Sequence, residues 1–392
     1  MWSEMKPGFK TRMDEMDSDF FPSTPRKGWS IGLVKCVTCL VIFMAGMILG
    51  LSASAHFMRN SNVSQAELFF PTTMYTASCD KACVSLKSFI KPTHLMHTMS
   101  DDELFWRASM VPKMEYPFQR VPKVAFMFMT RGPLPFAPLW DRFFKGHEGL
   151  YSVYMHTLPD YKLNVSKTSA FYGRQIPSEE VSWGSVTLVD AEKRLLANAL
   201  LDFSNERFVL LSESCIPLYN FPTVYEYLIN SAASFVQSYY EDTKQCRGRY
   251  NRRMAPDIKL SQWRKGSEWF ELNRELAVNI VADYKYYSLF RKYCRPSCYP
   301  DEHYIPTYLN MFHGALNANR SVTWVDWSRG GPHPATYGAP SITVEFIQAI
   351  RNNGTFCMYN SRPTSLCFLF ARKFSPSALR PLLNLTKTVM DF

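Results

Sequence analysis

Residues 123–130 read KVAFMFMT and are followed at once by Arg131-Gly132-Pro133. An unbroken apolar run of this length, closed by a turn signal, predicts a strand buried on both faces, as in a parallel sheet. The pattern repeats outward along the chain. LYSVYMHTL (150–158), SVTLVD (185–190), ERFVLLSES (206–214) and SFVQSYYED (234–242) read as further strands. Between them LWDRFFKGH (139–147), AEKRLLANALLDF (191–203) and FPTVYEYLIN (221–230) read as helices, the second with Leu195, Ala199 and Leu200 on one face. Alternating strand and helix predict an α/β fold with a central, mostly parallel sheet. Ligands of such sheets bind beyond the carboxyl ends of the strands. That rule gathers Thr130, Arg131, Asp190, Ser212-Glu213-Ser214 and Glu241-Asp242 around one expected crevice.

The 392 residues suffice for one large domain or two ordinary ones, and 46% apolar against 20% charged residues excludes a chain disordered throughout. The net charge is +10, yet residues 1–35 contribute only six Lys or Arg against five Asp or Glu. Most of the excess therefore lies beyond residue 57, where it fits an anionic ligand or a solvated basic surface.

Residues 36–57 read CVTCLVIFMAGMILGLSASAHF, without formal charge when His56 is neutral. That is long enough to cross a hydrocarbon core. Arg26, Lys27 and Lys35 precede it and only Arg59 follows closely, so the expected topology is a cytosolic N-terminus with the bulk of the chain luminal. The expected division is a tail over 1–35, a signal anchor over 36–57, a stem over 58–120 and a folded domain over 121–392. Within the stem, Ser100 and Glu103 form a capping-box pattern ahead of LFWRASM, predicting one short helix.

Sequons at Asn62, Asn164, Asn319, Asn353 and Asn384 all follow the span. So do eight cysteines, Cys79, Cys83, Cys215, Cys246, Cys294, Cys298, Cys357 and Cys367. An even number in an oxidising lumen predicts disulfides of unspecified connectivity. The C-x3-C spacings lack the partners of a zinc site.

Nucleotide chemistry of the familiar kinds has no support. There is no G-x-G-x-x-G, no G-x-x-x-x-G-K-[ST] and no G-x-S-x-G elbow. Residues 294–311 read CRPSCYPDEHYIPTYLNM, with adjacent carboxylates Asp301 and Glu302 behind two cysteines. A carboxylate at a crevice mouth suits a general base, while acids in this position also favour a helix N-terminus. Pro306 either kinks the following helix or sits in its first turn. Gly266-Ser267 reads as a close backbone approach to a ligand. Trp263 and Trp269 fit a core, and His303 and His333 read as structural.

Six segments together carry a resemblance: KVAFMFMTRGPLP, FVLLSESCIPL, QWRKGSEWFELNR (262–274), YPDEHYIPT, VDWSRGGPHP (325–334) and CFLFARKF (367–374). Over roughly 121–375 the chain resembles the plant-type branch of the core-2/I-branching β-1,6-N-acetylglucosaminyltransferase family, type II Golgi membrane enzymes. The resemblance implies a GT-A type nucleotide-sugar-binding fold and inverting transfer from a UDP-sugar to a glycan or glycoprotein acceptor. It implies N-acetylglucosamine, or in plant-type relatives another sugar such as glucuronic acid. It places Glu302 as the base and Lys373 on the diphosphate, with no divalent metal and no other cofactor. A second cation upstream of Lys373 is expected at Arg362, or at Arg351 or Arg372, with shorter spacing than in the family. Thr130, Arg131, Asp190 and Ser267 complete the expected donor side. Glu241, Arg249 and Trp327 fall near acceptor-contacting positions, and the basic run around Arg249 fits an acidic glycan or a solvated loop. No D-x-D follows the span, in keeping with basic side chains replacing a metal. Nucleic acid is not an expected partner. A non-catalytic glycan-binding protein of the same fold is the competing expectation; a hydrolase lacks a nucleophile constellation.

Overall fold

A computed structural model describes residues 29–60, 90–92, 94–111, 116, 118–294, 298–352 and 354–392. Asn62, Asn353, Cys79 and Cys83 lie outside the described residues. The chain divides into two units, Met1–Ser78 and Cys79–Phe392. In the first, helix α1 spans Trp29–Asn60. Its stretch Lys35–Ser52 has a mean hydropathy of 2.0, none of it buried, and is long and apolar enough to cross a membrane.

The second unit begins before residue 121. Helix α2 (Asp101–Ser109) has the expected capping box, with Ser100 and Glu103 satisfying each other's backbone N–H groups. It packs into the core through Leu104 and Ala108, and Asp101 takes two 2.7 Å hydrogen bonds from the Arg194 guanidinium. Part of the expected stem is therefore folded into the domain.

The α/β expectation holds. Strand β1 (Lys123–Met129), helix α3 (Ala137–Phe144), strand β2 (Tyr151–His156), helix α4 (Val186–Leu200), strand β3 (Asn205–Ser212), the short β4 (Ile216–Pro217) and helix α5 (Phe221–Ile229) follow in order. Next come β5 (Glu271–Asn273), α6 (Arg274–Ala282), α7 (Lys285–Tyr293) and α8 (Pro300–Phe312). The chain ends with β6 (Thr323–Val325), α9 (Val344–Arg351), β7 (Cys357–Tyr359), β8 (Arg362–Thr364), β9 (Phe370–Arg372) and α10 (Leu379–Leu385). The main sheet has the order β2-β1-β3-β5, parallel except at β5. A second sheet, β4-β9-β6, carries the C-terminal segment.

β1 is buried along its whole length because both faces are covered. Val124, Phe126 and Phe128 face α3, α5 and the C-terminal segment, while Ala125, Met127 and Met129 face α4, α6 and α8. That two-residue alternation within a continuous apolar run is what a central parallel strand requires.

Two strand expectations fail. SVTLVD is the first turn and a half of α4, where Ser185 accepts the Thr187 N–H as N-cap. Its apolar positions continue the helical spacing of the next segment, and the cap outweighs the β-branched residues. SFVQSYYED makes only isolated bridges, Ser234 to Asn317, Phe235 to Glu271 and Tyr239 to Lys265. The expected disulfides are present in part. Cys294–Cys298 and Cys357–Cys367 are disulfides, whereas Cys215 and Cys246 are buried free thiols. Cys215 lies behind β3, its thiol beside the Ser212 hydroxyl, and burial pushes it upward from the ordinary thiol range.

Candidate active site

Helix α8 starts at Pro300, so Pro306 lies in its interior rather than its first turn. Proline has no N–H, which leaves the Glu302 carbonyl four residues earlier without its helical partner. The Gly266 N–H takes that carbonyl at 2.8 Å. Side chains of the same helix hold Arg264, two residues before Gly266. The Thr307 hydroxyl accepts the Arg264 N–H at 3.0 Å, and His303 Nδ1 meets the Arg264 carbonyl at 2.7 Å. Gly266 is confined on its other side, where an added Cβ would stand 1.8 Å from the Gln237 carbonyl oxygen and 2.9 Å from Pro306. The close approach expected there is to the protein's own backbone, not to a ligand.

This seam presents residues 265–269 along the crevice. Lys265 Nζ lies 2.9 Å from Glu302 Oε2, and Arg249 Nη1 donates to the same oxygen at 2.5 Å. Arg249 also stands 4.0 Å above the Tyr299 ring. Tyr299 precedes α8 at φ 51°, a left-handed conformation unusual for an aromatic residue, directly after the Cys294–Cys298 disulfide. Its ring meets Trp183 at 5.1 Å, and Trp183 meets His333 at 5.6 Å. Trp183 is 56% exposed and Trp327 50% exposed.

Asp301 does not cap the helix in solvent. It is buried, and burial, then the neighbouring Glu302 charge, push its carboxyl up toward about 7. Glu268, on the seam, is likewise pushed up, first by burial and then by Asp301, with Arg372 opposing. Glu192 of α4 lies fully buried beneath them and is raised well above the carboxylate range by burial, then by Glu268 and Asp301. Among the described residues, neither Glu192 oxygen nor Asp301 Oδ1 has a hydrogen-bond partner. Desolvation of adjacent carboxyls is a direct cause of such shifts. Among the described residues, no group of three or more His, Cys, Asp or Glu is arranged to hold a metal ion.

The far end of the seam is cationic. Trp269 is core, as expected, but its ring carries the Arg372 guanidinium at 4.0 Å. Four residues of extended chain cover at most about 14 Å, so Glu302 and Arg372 are tethered to opposite ends of one short segment. Lys373 follows Arg372, and the Phe374 N–H bonds the Ser214 carbonyl at 3.1 Å, behind the carboxyl end of β3. Lys373 makes no ion pair among the described residues. Thr130 and Arg131 follow β1 at the same sheet edge, Thr130 donating its N–H to the His156 carbonyl. β6 runs parallel to β9, with Val325 opposite Arg372, so Trp327 and its loop emerge beside Lys373.

The structure thus joins Arg249 and Lys265 to Glu302 by direct contact, runs through Ser267 to Trp269 beneath Arg372, and sets Lys373, Thr130 and Arg131 at the carboxyl end of the sheet, with Glu241 exposed at the start of the Arg249 loop and Trp327 on the β6 loop. Two expected donor residues are not there. Asp190 lies within α4, buried, accepting the Tyr287 hydroxyl at 2.5 Å and pairing with Arg291 at 3.1 Å. It ties α4 to α7 because the strand that would have delivered it to the crevice is a helix. Arg362 sits on the β7–β8 hairpin, exposed. That hairpin docks through Asn360 on Asn230 and Ala232, near Arg207 opposite the first residues of β1, at the amino end of the sheet. Of the two other expected positions, Arg372 lies over Trp269 beside Lys373 and Arg351 stands over Tyr219. Sequence reasoning missed Lys265, Glu268, Glu192, Trp183 and Tyr299. The signal for Lys265 and Glu268 was their place beside Gly266 in a motif already singled out.

With the geometry in place, the comparisons with known proteins are specific. The profile of the Core-2/I-Branching enzyme family matches residues 124–351. The rice protein "Glycosyltransferase BC10" (Oryza sativa subsp. japonica) is 38% identical over 310 residues, covering 67% of this chain and 76% of the rice protein.

Gly266→Ala is expected to lower the thermal midpoint and at least one hundredfold of activity, because the Gln237 carbonyl must move and the Glu302 carbonyl loses its partner; circular dichroism melting and turnover assays check both. The raised carboxyls carry a pH signature. The folded state binds protons that the unfolded chain has released, so stability is fullest below the ordinary carboxylate range and falls as pH rises through about 7 and about 8 for Asp301 and Glu268. Urea midpoints measured from pH 4 to pH 8 should fall less steeply in the Asp301→Asn/Glu268→Gln variant than in wild type.

Proposed function

This chain belongs to the core-2/I-branching enzyme family and is a glycosyltransferase; we propose that it is an inverting, metal-independent enzyme of GT-A architecture, acting on a UDP-sugar and a glycan hydroxyl. One observation carries the reading: residues 265–269 hold a solvent-reachable carboxylate, Glu302, at one end and the Arg372–Lys373 cations at the other. Inverting transfer needs both. Glu302 accepts the proton from the acceptor hydroxyl as that oxygen bonds to the anomeric carbon. The bond from the anomeric carbon to the diphosphate oxygen breaks on the opposite face, and its electron pair leaves with UDP. Lys373 and Arg372 neutralise the departing diphosphate as fixed charges, with Thr130, Arg131 and Ser267 bordering the donor. Glu241, Arg249 and Trp327 border the acceptor, and the exposed Trp327 face suits stacking on a sugar ring. The donor sugar is N-acetylglucosamine or glucuronic acid.

The same reading makes α1 the single signal anchor of a type II Golgi protein, with residues 58–392 luminal. Asn164, Asn319 and Asn384 are exposed, as acceptors of N-linked glycan must be. The two disulfides suit an oxidising lumen.

One feature favours the competing reading, a glycan-binding protein without turnover: Glu302 is engaged by two cations at rest. Turnover separates the two. Glu302→Gln should reduce transfer by about a thousandfold or more while leaving UDP-induced thermal stabilisation intact. Substantial residual transfer would remove Glu302 from the role of base. Wild-type activity should persist in excess EDTA, and strict dependence on Mn²⁺ would sink the assignment of the diphosphate to Arg372 and Lys373.

A further inference from the structure

Beside Glu302, on the side of Tyr299 that bears Arg249, opens a cavity of about 700 Å³. Lys244, Arg249, Arg252 and Arg253 line it together with Tyr293 and Tyr299, and among the described residues no acidic one does. Of the nearby acids, Asp242 pairs with Arg247 and Asp257 with Lys285, while Glu241 is exposed at the start of the loop and does not line the cavity. The side chains of Lys244, Arg252 and Arg253 make no ion pair among the described residues. Holding like charges together around a concave surface costs energy unless an anion enters. Aromatic walls with guanidinium forks match a pyranose ring bearing an oxyanion better than they match a neutral sugar.

We infer that this cavity holds an anionic sugar residue of the acceptor glycan, one bearing a uronic carboxylate or a sulfate ester, flanking the residue whose hydroxyl reacts. The inference rests on the proposed reading that Glu302 faces the acceptor. Arg249 links the two places, since it lines the cavity while bonded to the Glu302 carboxylate. An oxyanion in the cavity competes for Arg249 and so loosens the base for the incoming hydroxyl. Acceptor charge would thus be read twice, in binding and in the freeing of Glu302.

The test is calorimetric binding to the resting enzyme without donor. Three probes are compared: a galacturonic acid tetramer, its carboxyl-reduced neutral counterpart, and that counterpart sulfated. Either anionic probe should bind about tenfold or more tighter than the neutral one at low salt, and more weakly as salt rises. The stronger of the two identifies the oxyanion. The Arg252→Ala/Arg253→Ala variant should lose this preference while retaining stabilisation by UDP. Equal affinity for charged and neutral probes, or no binding of any, overturns the inference. So does displacement of the anionic probe by UDP, which would make the cavity a diphosphate site. A fourth arm compares UDP-glucuronate with UDP-glucose; loss of their discrimination in the variant would assign the cavity to a donor carboxylate and overturn it as well. Because binding is read without turnover, preference for the anionic probe in a protein that never transfers would refute catalysis and leave this inference standing. Transfer to neutral and acidic acceptors alike would do the reverse.

Discussion

One missing hydrogen sets the arrangement of this site. Pro306 cannot donate to the Glu302 carbonyl, so α8 carries an unmet acceptor in the turn that bears the crevice carboxylate. A buried carbonyl left unpaired costs about 1–3 kcal/mol. Gly266 meets it, and only glycine can, because the Gln237 backbone passes where a Cβ would be. Thr307 and His303 then fix Arg264 from the same helix, and the Trp263 ring stacks on His303 at 4.5 Å. His303 is accordingly a structural, uncharged group; burial holds it down to about 3. The segment that reaches both ends of the crevice is thus registered against α8 by main-chain bonding. Flexible side chains alone would hold it less well.

Registration explains how two consecutive acids acquire different chemistry. Neighbours on a helix point about 100° apart. Glu302 turns outward into two cations, while Asp301 turns inward toward Glu268 and Glu192, where no cation is bonded to it. Both positions carry a carboxyl group and their environments differ, so burial pushes the Asp301 carboxyl up while Glu302 meets two cations at the surface of the helix.

How much of this was legible in the sequence depended on the range of the interaction. β1, β2 and β3 were legible because a strand buried on both faces writes itself as a continuous apolar run, and α2 because the Ser100 cap acts over three residues. The start of α4 was not, because Val186, Thr187 and Val189 have strand-like side chains and one cap decides against them. That single misreading left Asp190 facing a ligand, whereas it is buried in the first half of α4 and bonded to Tyr287 and Arg291. Arg362 was misplaced for a different reason. The family resemblance called for a cation upstream of Lys373 and Arg362 was chosen despite its shorter spacing, whereas the Cys357–Cys367 disulfide and Asn360 fold its hairpin toward the amino end of the sheet. Lys265 and Glu268 have no motif of their own, and their roles exist only once Pro306 and Gly266 are seen to meet.

The site is consequently divided between parts of the chain that share no secondary structure. Glu302 rides on α8 and Arg372 on β9, and residues 265–269 join them. In the resting protein most of the charges around the crevice already have partners of opposite sign nearby: Glu302 has Arg249 and Lys265, and Arg372 opposes the charge on Glu268. Substrates of the proposed reaction must therefore exchange these contacts and not simply add to them. A diphosphate drawing on Arg372 leaves Glu268 with less compensation, which favours its protonated form and, through it, eases the charge beside Asp301. An acceptor drawing on Arg249 frees one contact on Glu302. Both exchanges act on the same short segment from opposite ends. Donor and acceptor binding are then coupled through its electrostatics, even if no helix or strand moves.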